Sequence, residues 1–285
     1  MIDRRTLLGT MGALCLAARR LEAETVQRVG MQLYTVRTEL EKDFEGSFAK
    51  VAAIGFKEVE FAGYYKRTPQ QITEVLKRNG LTSPAAHVDY PSLGDTFPAV
   101  LETARTIGHQ FLVNPWIDES IRKQPDSWKR IAETFNRAGE RSKQAGIQFA
   151  YHNHHFEFDP VDGKLPFDVL LEQCDPSLVK IELDLCWIAA AGKDPLEYFK
   201  RYPGRFPLVH VKGLAKKPEA GAATPIQNVM PDIADVGSQN VIDWKRIFAA
   251  SKQAGIKHYF IEHDVPKAPF DSLKASYEYV STLQF

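Results

Sequence analysis

Five times in this chain a helical stretch closes on a glycine and a short apolar run follows at once, at Gly55, Gly80, Gly108, Gly146 and Gly255. Glycine accepts the left-handed conformation just past a helix, so each unit reads as helix, cap, buried strand. The runs end on polar side chains suited to acid–base or metal chemistry: around Glu60, at His87, at Asn114, at His152 or His154, and around Glu262. Near-continuous apolar strands between amphipathic helices build a parallel sheet covered by helices.

Extending the reading gives strands at 29–34, 57–61, 81–88, 110–114, 147–152, 179–184, 206–211 and 257–262. Helical patterns alternate with them at 44–54, 69–79, 96–107, 126–145, 167–174, 195–202, 243–254 and 271–283. Eight such units predict a single α/β domain over 29–285, a closed (β/α)8 TIM barrel whose chemistry lies at the C-terminal face. A length of 285 residues with 44% hydrophobic content supplies the core this requires. Pro69, Pro166 and Pro195 stand where a first helical turn tolerates proline. The connection Lys212–Ile242 is out of proportion and rich in Gly, Ala and Pro, which predicts a structureless lid or binding loop. The shorter loop Ala62–Thr68, with Tyr64, Tyr65, Lys66 and Arg67, is expected to meet a polar ligand on the same face.

Residues 1–23 stand apart from this pattern. Arg4-Arg5 precedes an apolar run from Leu7 to Ala18, and Leu21-Glu22-Ala23 offers a small-residue cleavage site, the pattern of a twin-arginine export signal. The run is too short to span a bilayer, so no stable membrane anchor and a periplasmic or secreted protein are expected. Lysine plus arginine equals aspartate plus glutamate at 36 each, which leaves no global field to recruit nucleic acid. Cys174 and Cys186 make no disulfide framework and are expected as buried thiols. A homo-oligomer is neither implied nor excluded.

The polar candidates at the strand ends are Glu60, His87, Asn114, His152, His154, Glu157, Asp184, His210, Lys212 and Glu262. The last units supply imidazole or carboxylate groups just where buried strands emerge. Such a mixture suits one divalent ion, Mn, Zn, Co or Mg, better than a thiolate-loving metal. Buried carboxylates otherwise lack a counter-charge.

The segments GMQLYTVR, GFKEVEFAGYY, YHNHHFEF, ELDLCW with AGKDP, RFPLVHVKG, VGSQNVIDW and YFIEHD resemble the sugar phosphate isomerase/epimerase group of xylose-isomerase-like barrels. The resemblance spans nearly everything after the leader and implies a divalent metal held by Glu, Asp, His and Glu from the fifth to eighth strands. Asp184, His210 and Glu262 match the last three. The first falls on His152, with Glu157 following in the loop, and His152 is taken as the ligand in preference to Glu157. Two departures stand out: Gly213 where many relatives carry Asp, and Asn240 where they carry glycine.

The implied chemistry is proton abstraction beside a metal-polarised carbonyl. Glu262 or Glu157 is expected as the base, and His154 and Lys212 as acid or electrophilic partners. Glu60, His87 and Asn114 are expected to shape the substrate site, and Trp116, Trp187 and Phe158 to offer flat faces to a sugar ring. No phosphate-cradling glycine turn opens a helix, so an unphosphorylated sugar, keto-sugar, inositol or glycoside is expected. A sugar isomerase or epimerase leads. A lyase or hydratase eliminating 3-keto-glycosides is the alternative, and a non-catalytic sugar-binding barrel the third reading.

Overall fold

In the computed structural model, which describes residues 23–217 and 226–285, the five cadence glycines all adopt positive φ, each directly ahead of a strand. The expected export signal falls, but for Ala23, outside the described residues. The strands are β1 (Val29–Gln32), β2 (Glu58–Phe61), β3 (Thr82–His87), β4 (Phe111–Asn114), β5 (Gln148–His152), β6 (Val179–Asp184), β7 (Leu208–Val211) and β8 (His258–Ile261). Every neighbouring pair is parallel, and β1 pairs with β8 to close the barrel. Helices cover it outside, among them Phe44–Ile54, Pro69–Arg78, Phe97–Ile107 and Ser127–Gln144. A capping box at Thr68 and Gln71 starts the second of these, with Pro69 in its first turn.

Three features depart from the sequence pattern. The pattern at 243–254 divides into Trp244–Ala249 and Ser251–Ala254. A short helix, Leu185–Ala190, follows β6 directly; almost all of it is buried, so it carries no amphipathic signature. The connection after β7 is not structureless: Gly213–Leu214 pairs antiparallel with Ile233–Ala234, and Ile226–Val229 is helical. Its residues 218–225 lie outside the described ones.

This ribbon explains both sequence departures. A Cβ on Gly213 would meet Ala234 O at 2.4 Å, Asn240 Nδ2 at 2.6 Å and Asp235 O at 2.9 Å. Asn240 occupies the space beside Gly213, and its Oδ1 accepts from Ile242 N at 3.1 Å. Cys174 and Cys186 are buried and unbridged. Among the described residues no helix is long and apolar enough to cross a membrane.

Candidate active site

Inside the barrel Ala85, Phe111, Val113, Ala150, Leu208 and Phe260 form an apolar layer. Strand side chains alternate between faces, so residues two positions further along face the same interior nearer the C-terminal end. That rule brings His87, His152, His210 and Glu262 together, one step above Ala85, Ala150, Leu208 and Phe260. It also joins Glu182 to Asp184, Lys212 to His210 and Asp264 to Glu262.

His210 is the hub. Its Nε2 lies 2.8 Å from Glu60 Oε2 and 3.1 Å from Glu182 Oε2, and its Nδ1 lies 3.0 Å from Glu262 Oε2. Burial alone would lower its pKa, but the Glu182 and Glu262 carboxylates hold it well above the ordinary histidine value. For His87, 3.4 Å from both Glu60 and Glu182, burial works to lower the pKa, but the Glu60 and Glu182 carboxylates together raise it to about 9. His152 goes the opposite way, to about 3, through burial and the neighbouring His210 charge.

Lys212 is fully buried in a box of carboxylates. Its Nζ stands 2.7 Å from Glu262 Oε2, 2.8 Å from Asp264 Oδ2 and 3.1 Å from Asp184 Oδ2, above the Trp187 ring at 5.1 Å. Desolvation opposes its charge, and Asp184, Asp264 and Glu262 more than restore it. Asp184 is oriented by the chain itself: Oδ1 caps the helix Leu185–Ala190, accepting from Cys186 N and Trp187 N, each at 2.8 Å. Its Oδ2 is thereby turned into the site.

His154 is held from several sides. Its backbone N–H donates to Glu157 Oε2 at 2.8 Å, and its ring stacks on Phe156 at 5.5 Å and meets Trp116 edge-on at 4.9 Å. Burial, then the His152 and Lys212 charges, keep it neutral, with a pKa well below the ordinary value. A cavity of about 610 Å³ opens above these groups, lined by His87, His152, His154, His210, Lys212, Glu262 and Asp264. Tyr34, Trp116, Ile226 and Met230 stand among the other residues of its wall.

The residues fit a divalent cation. His152, Asp184 and His210 offer ligand atoms within 4.8 Å of one another, as do Glu60, His87, Glu182 and His210. Glu60 Oε1, Glu182 Oε1 and Asp184 Oδ2 are buried without a hydrogen-bond partner; Asp184 Oδ2 has the Lys212 ammonium near but not in hydrogen-bond geometry. Orphaned carboxylate oxygens beside imidazoles make a nitrogen–oxygen donor set for such an ion.

Residues 48–281 match the model of the xylose isomerase-like TIM barrel family. The chain belongs to that family. It is 25% identical over 264 residues to the inosose dehydratase of Lacticaseibacillus casei, a match spanning 82% of this chain and 88% of that protein. A sugar phosphate isomerase/epimerase of Parabacteroides distasonis superposes with a TM-score of 0.74 at 24% identity, over 90% of this chain and 98% of the other. The IOLI protein, solved with a zinc atom, superposes with a TM-score of 0.66 at 14% identity, over 88% and 95% of the two chains. Sugar-processing enzymes thus surround this xylose isomerase-like barrel. Dehydratases among them support the lyase alternative better than the isomerase expected first.

Within the barrel, several expected roles change. Glu157 does not reach the cavity: fully buried, it accepts from the Tyr151 hydroxyl and from His154 N, and burial raises its pKa to about 7. Its carboxylate holds the His154 backbone from behind instead of reaching the cavity, where a base or ligand was expected of it. Asn114 is out of phase with the interior, since Val113 faces inward, and its Nδ2 donates to Val88 O at 2.9 Å. Trp187 is wholly buried beneath Lys212 and offers no face to a sugar, and Phe158 packs on Phe167. Glu60 lies under His87 and His210 without lining the cavity. Tyr64 turns away to His109, its hydroxyl 3.1 Å from Nε2.

Two residues of the cluster were not singled out from sequence, Glu182 and Asp264. Both stand two positions from a recognised candidate, so strand alternation carries the signal that finds them.

Proposed function

We propose that this chain is a metal-dependent lyase acting on a cyclic polyhydroxy ketone, removing the hydrogen next to the carbonyl and expelling the oxygen substituent one carbon further on. The observation carrying this reading is that the cavity presents two distinct proton-handling groups, the neutral His154 imidazole and the Lys212 ammonium. Elimination needs both a base for the C–H and an acid for the departing oxygen, whereas isomerisation can return one proton through one group. The dehydratase relatives support the same choice.

His152, Asp184, His210 and Glu262 are assigned to the ion, because His152, His210 and Glu262 line the cavity while Glu60 and Glu182 lie beneath it. The pair of imidazoles favours Zn, Mn or Co over Mg. When bound, such an ion polarises the substrate carbonyl and stabilises the negative charge that builds on its oxygen. Lys212 also holds Asp264, so it keeps a partner when Asp184 and Glu262 turn to a cation. His154 takes the proton from carbon, and Lys212 Nζ delivers one to the leaving oxygen. His87 and Asp264 hydrogen-bond the ring hydroxyls. The arginine pair Arg4-Arg5 favours a periplasmic or secreted enzyme acting on an unphosphorylated substrate.

The test is incubation of metal-loaded protein with inosose and with 3-keto-glycosides in heavy water, followed by NMR and ultraviolet absorbance. Elimination gives a conjugated enone and release of water or alcohol. Solvent deuterium beside an intact carbonyl skeleton, with no enone, would overturn the lyase in favour of an isomerase or epimerase.

A further inference from the structure

The segment GMQLYTVR of the first strand takes no part in the chemistry assigned above, yet its Gln32 is wholly buried. Gln32 and Glu60 are register partners on the parallel strands β1 and β2. The backbone orients the Gln32 amide: Oε1 accepts from Tyr34 N at 3.0 Å, which leaves Nε2 to donate, and it does so to Glu60 Oε2 at 2.7 Å. The same Glu60 oxygen lies 2.8 Å from His210 Nε2. Gln32, Glu60 and His210 are each 0% exposed, so solvent does not screen these contacts. A row of buried side chains from β1, β2 and β7 thus ends on one ring nitrogen.

The other ring nitrogen faces the carboxylates assigned to the ion. His210 Nδ1 lies 3.0 Å from Glu262 Oε2 and 3.9 Å from Asp184 Oδ2. A neutral imidazole carries one proton and one lone pair, and its partners decide which nitrogen holds which. With the proton on Nδ1, His210 would donate to Glu262, occupy that carboxylate, and aim its lone pair down at Glu60 and Glu182. With the proton on Nε2 it donates to Glu60, and its lone pair shares a space with Asp184 and Glu262. Only the second arrangement gathers nitrogen and oxygen donors at the cavity. His152 is turned the other way, its Nε2 3.8 Å from Asp184 Oδ2 and its Nδ1 3.3 Å from Glu182 Oε2.

We propose that Glu60, held by Gln32, is the positioning residue for His210: it keeps the ring proton on Nε2 and so turns Nδ1 toward the ion, leaving Glu262 free to bind as well. This rests on the ion assignment above and deepens it. A carboxylate that takes the far N–H of a ligand histidine fixes the ring and raises its basicity, and so contributes to metal affinity without touching the metal. The unpartnered Glu60 Oε1 marks the competing arrangement, in which Glu60 is itself a ligand to a second, lower ion with His87, Glu182 and His210.

The experiment loads the full-length chain, its histidines labelled with heavy nitrogen, with zinc alone. Long-range nitrogen–proton NMR should show one histidine bound through Nδ1 with its proton on Nε2, which is His210, and another bound through Nε2, which is His152. Zinc affinity, read by competition with a chelating dye, should fall by roughly 10- to 100-fold in Glu60→Gln and by less in Gln32→Leu. Glu58→Gln, at the opposite end of the same strand, should leave it unchanged. Gln32→Leu keeps the Glu60 carboxylate and decides the point even where Glu60→Gln fails to fold. Wild-type affinity in every folded variant, or no histidine bound through Nδ1, overturns the inference and leaves the ion assignment standing. Two zinc ions per chain, one of them lost in Glu60→Gln, overturns it in favour of Glu60 as a ligand. A chain that holds no zinc overturns both readings.

Discussion

Glu58 and Glu60 stand two residues apart on β2 and face the same barrel interior, yet they belong to different chemistries. At the N-terminal end Glu58 is closed off: Oε1 accepts from Arg28 Nε at 2.9 Å, and Oε2 lies 2.7 Å from His258 Nδ1. Burial would raise its pKa, but His258 and Arg28 together lower it. At the C-terminal end Glu60 receives Gln32 Nε2 at 2.7 Å and His210 at 2.8 Å, yet its Oε1 has no partner. The apolar layer of Ala85, Phe111, Val113, Ala150, Leu208 and Phe260 separates the two ends. Carboxylate and imidazole are common to both. Only the end with unmet oxygens and an open cavity is poised to take a cation, and the closed end serves stability.

The largest expected effect breaks the upper end alone. Asp184→Asn keeps the cap oxygen but removes the negative charge, and His210→Ala removes the hub; each should lower bound metal, read by plasma emission spectrometry, and cut elimination by roughly 10³-fold. Unchanged metal content in both variants would refute the ligand assignment.

A smaller effect tests the cation already present. Lys212→Met leaves Asp184, Glu262 and Asp264 facing one another, so the metal-free protein should lose about 3–5 kcal/mol in urea unfolding, largely recovered with divalent ion. Turnover should fall by roughly 10²-fold as the acid is lost. A metal-free variant as stable as the wild type would show that the carboxylates do not need the lysine.

The smallest effect sharpens the contrast at the lower end. His109, two residues ahead of β4, is buried between Ser83 and Tyr64, 2.8 Å from Ser83 O and 3.1 Å from the Tyr64 hydroxyl, and burial lowers its pKa to about 4. Between that value and the ordinary 6.5 the unfolded chain binds the extra proton, so this contribution to stability is full above about pH 6.5 and is lost as pH falls toward 4. His109→Gln removes this titration. The stability gap between wild type and variant should therefore shrink over that window by up to about 3 kcal/mol, with turnover at neutral pH unaffected. A gap constant with pH would refute it.

The fold was legible because its signals are local. A glycine past five of the helices, a proline in the first turn of three, and the apolar runs themselves located the elements mostly to within one or two residues, as at Val179–Asp184 and Phe44–Ile54. The helix Leu185–Ala190 escaped because it is buried on nearly every side and so has no polar stripe to give it a period. The site was legible in its residue types but not in their directions. Asn114 and His87 both end strands, yet the pleat turns one outward to Val88 and the other inward to Glu182. Glu157 looked like a base beside His154, but only the turn after β5 reveals that its carboxylate grips His154 from behind. Glu182 and Asp264 needed the pleat applied from neighbours already chosen.

Gly213 follows Lys212 by one peptide bond and is hemmed in by Asn240 and by the backbone oxygens of Ala234 and Asp235. The ribbon after β7 and the buried Lys212 are therefore not separable parts. A loop transplanted from a relative bearing aspartate at this position would wedge the ribbon apart and carry the lysine with it. Swapping specificity in this barrel by loop exchange requires moving positions 213 and 240 together, as one cassette.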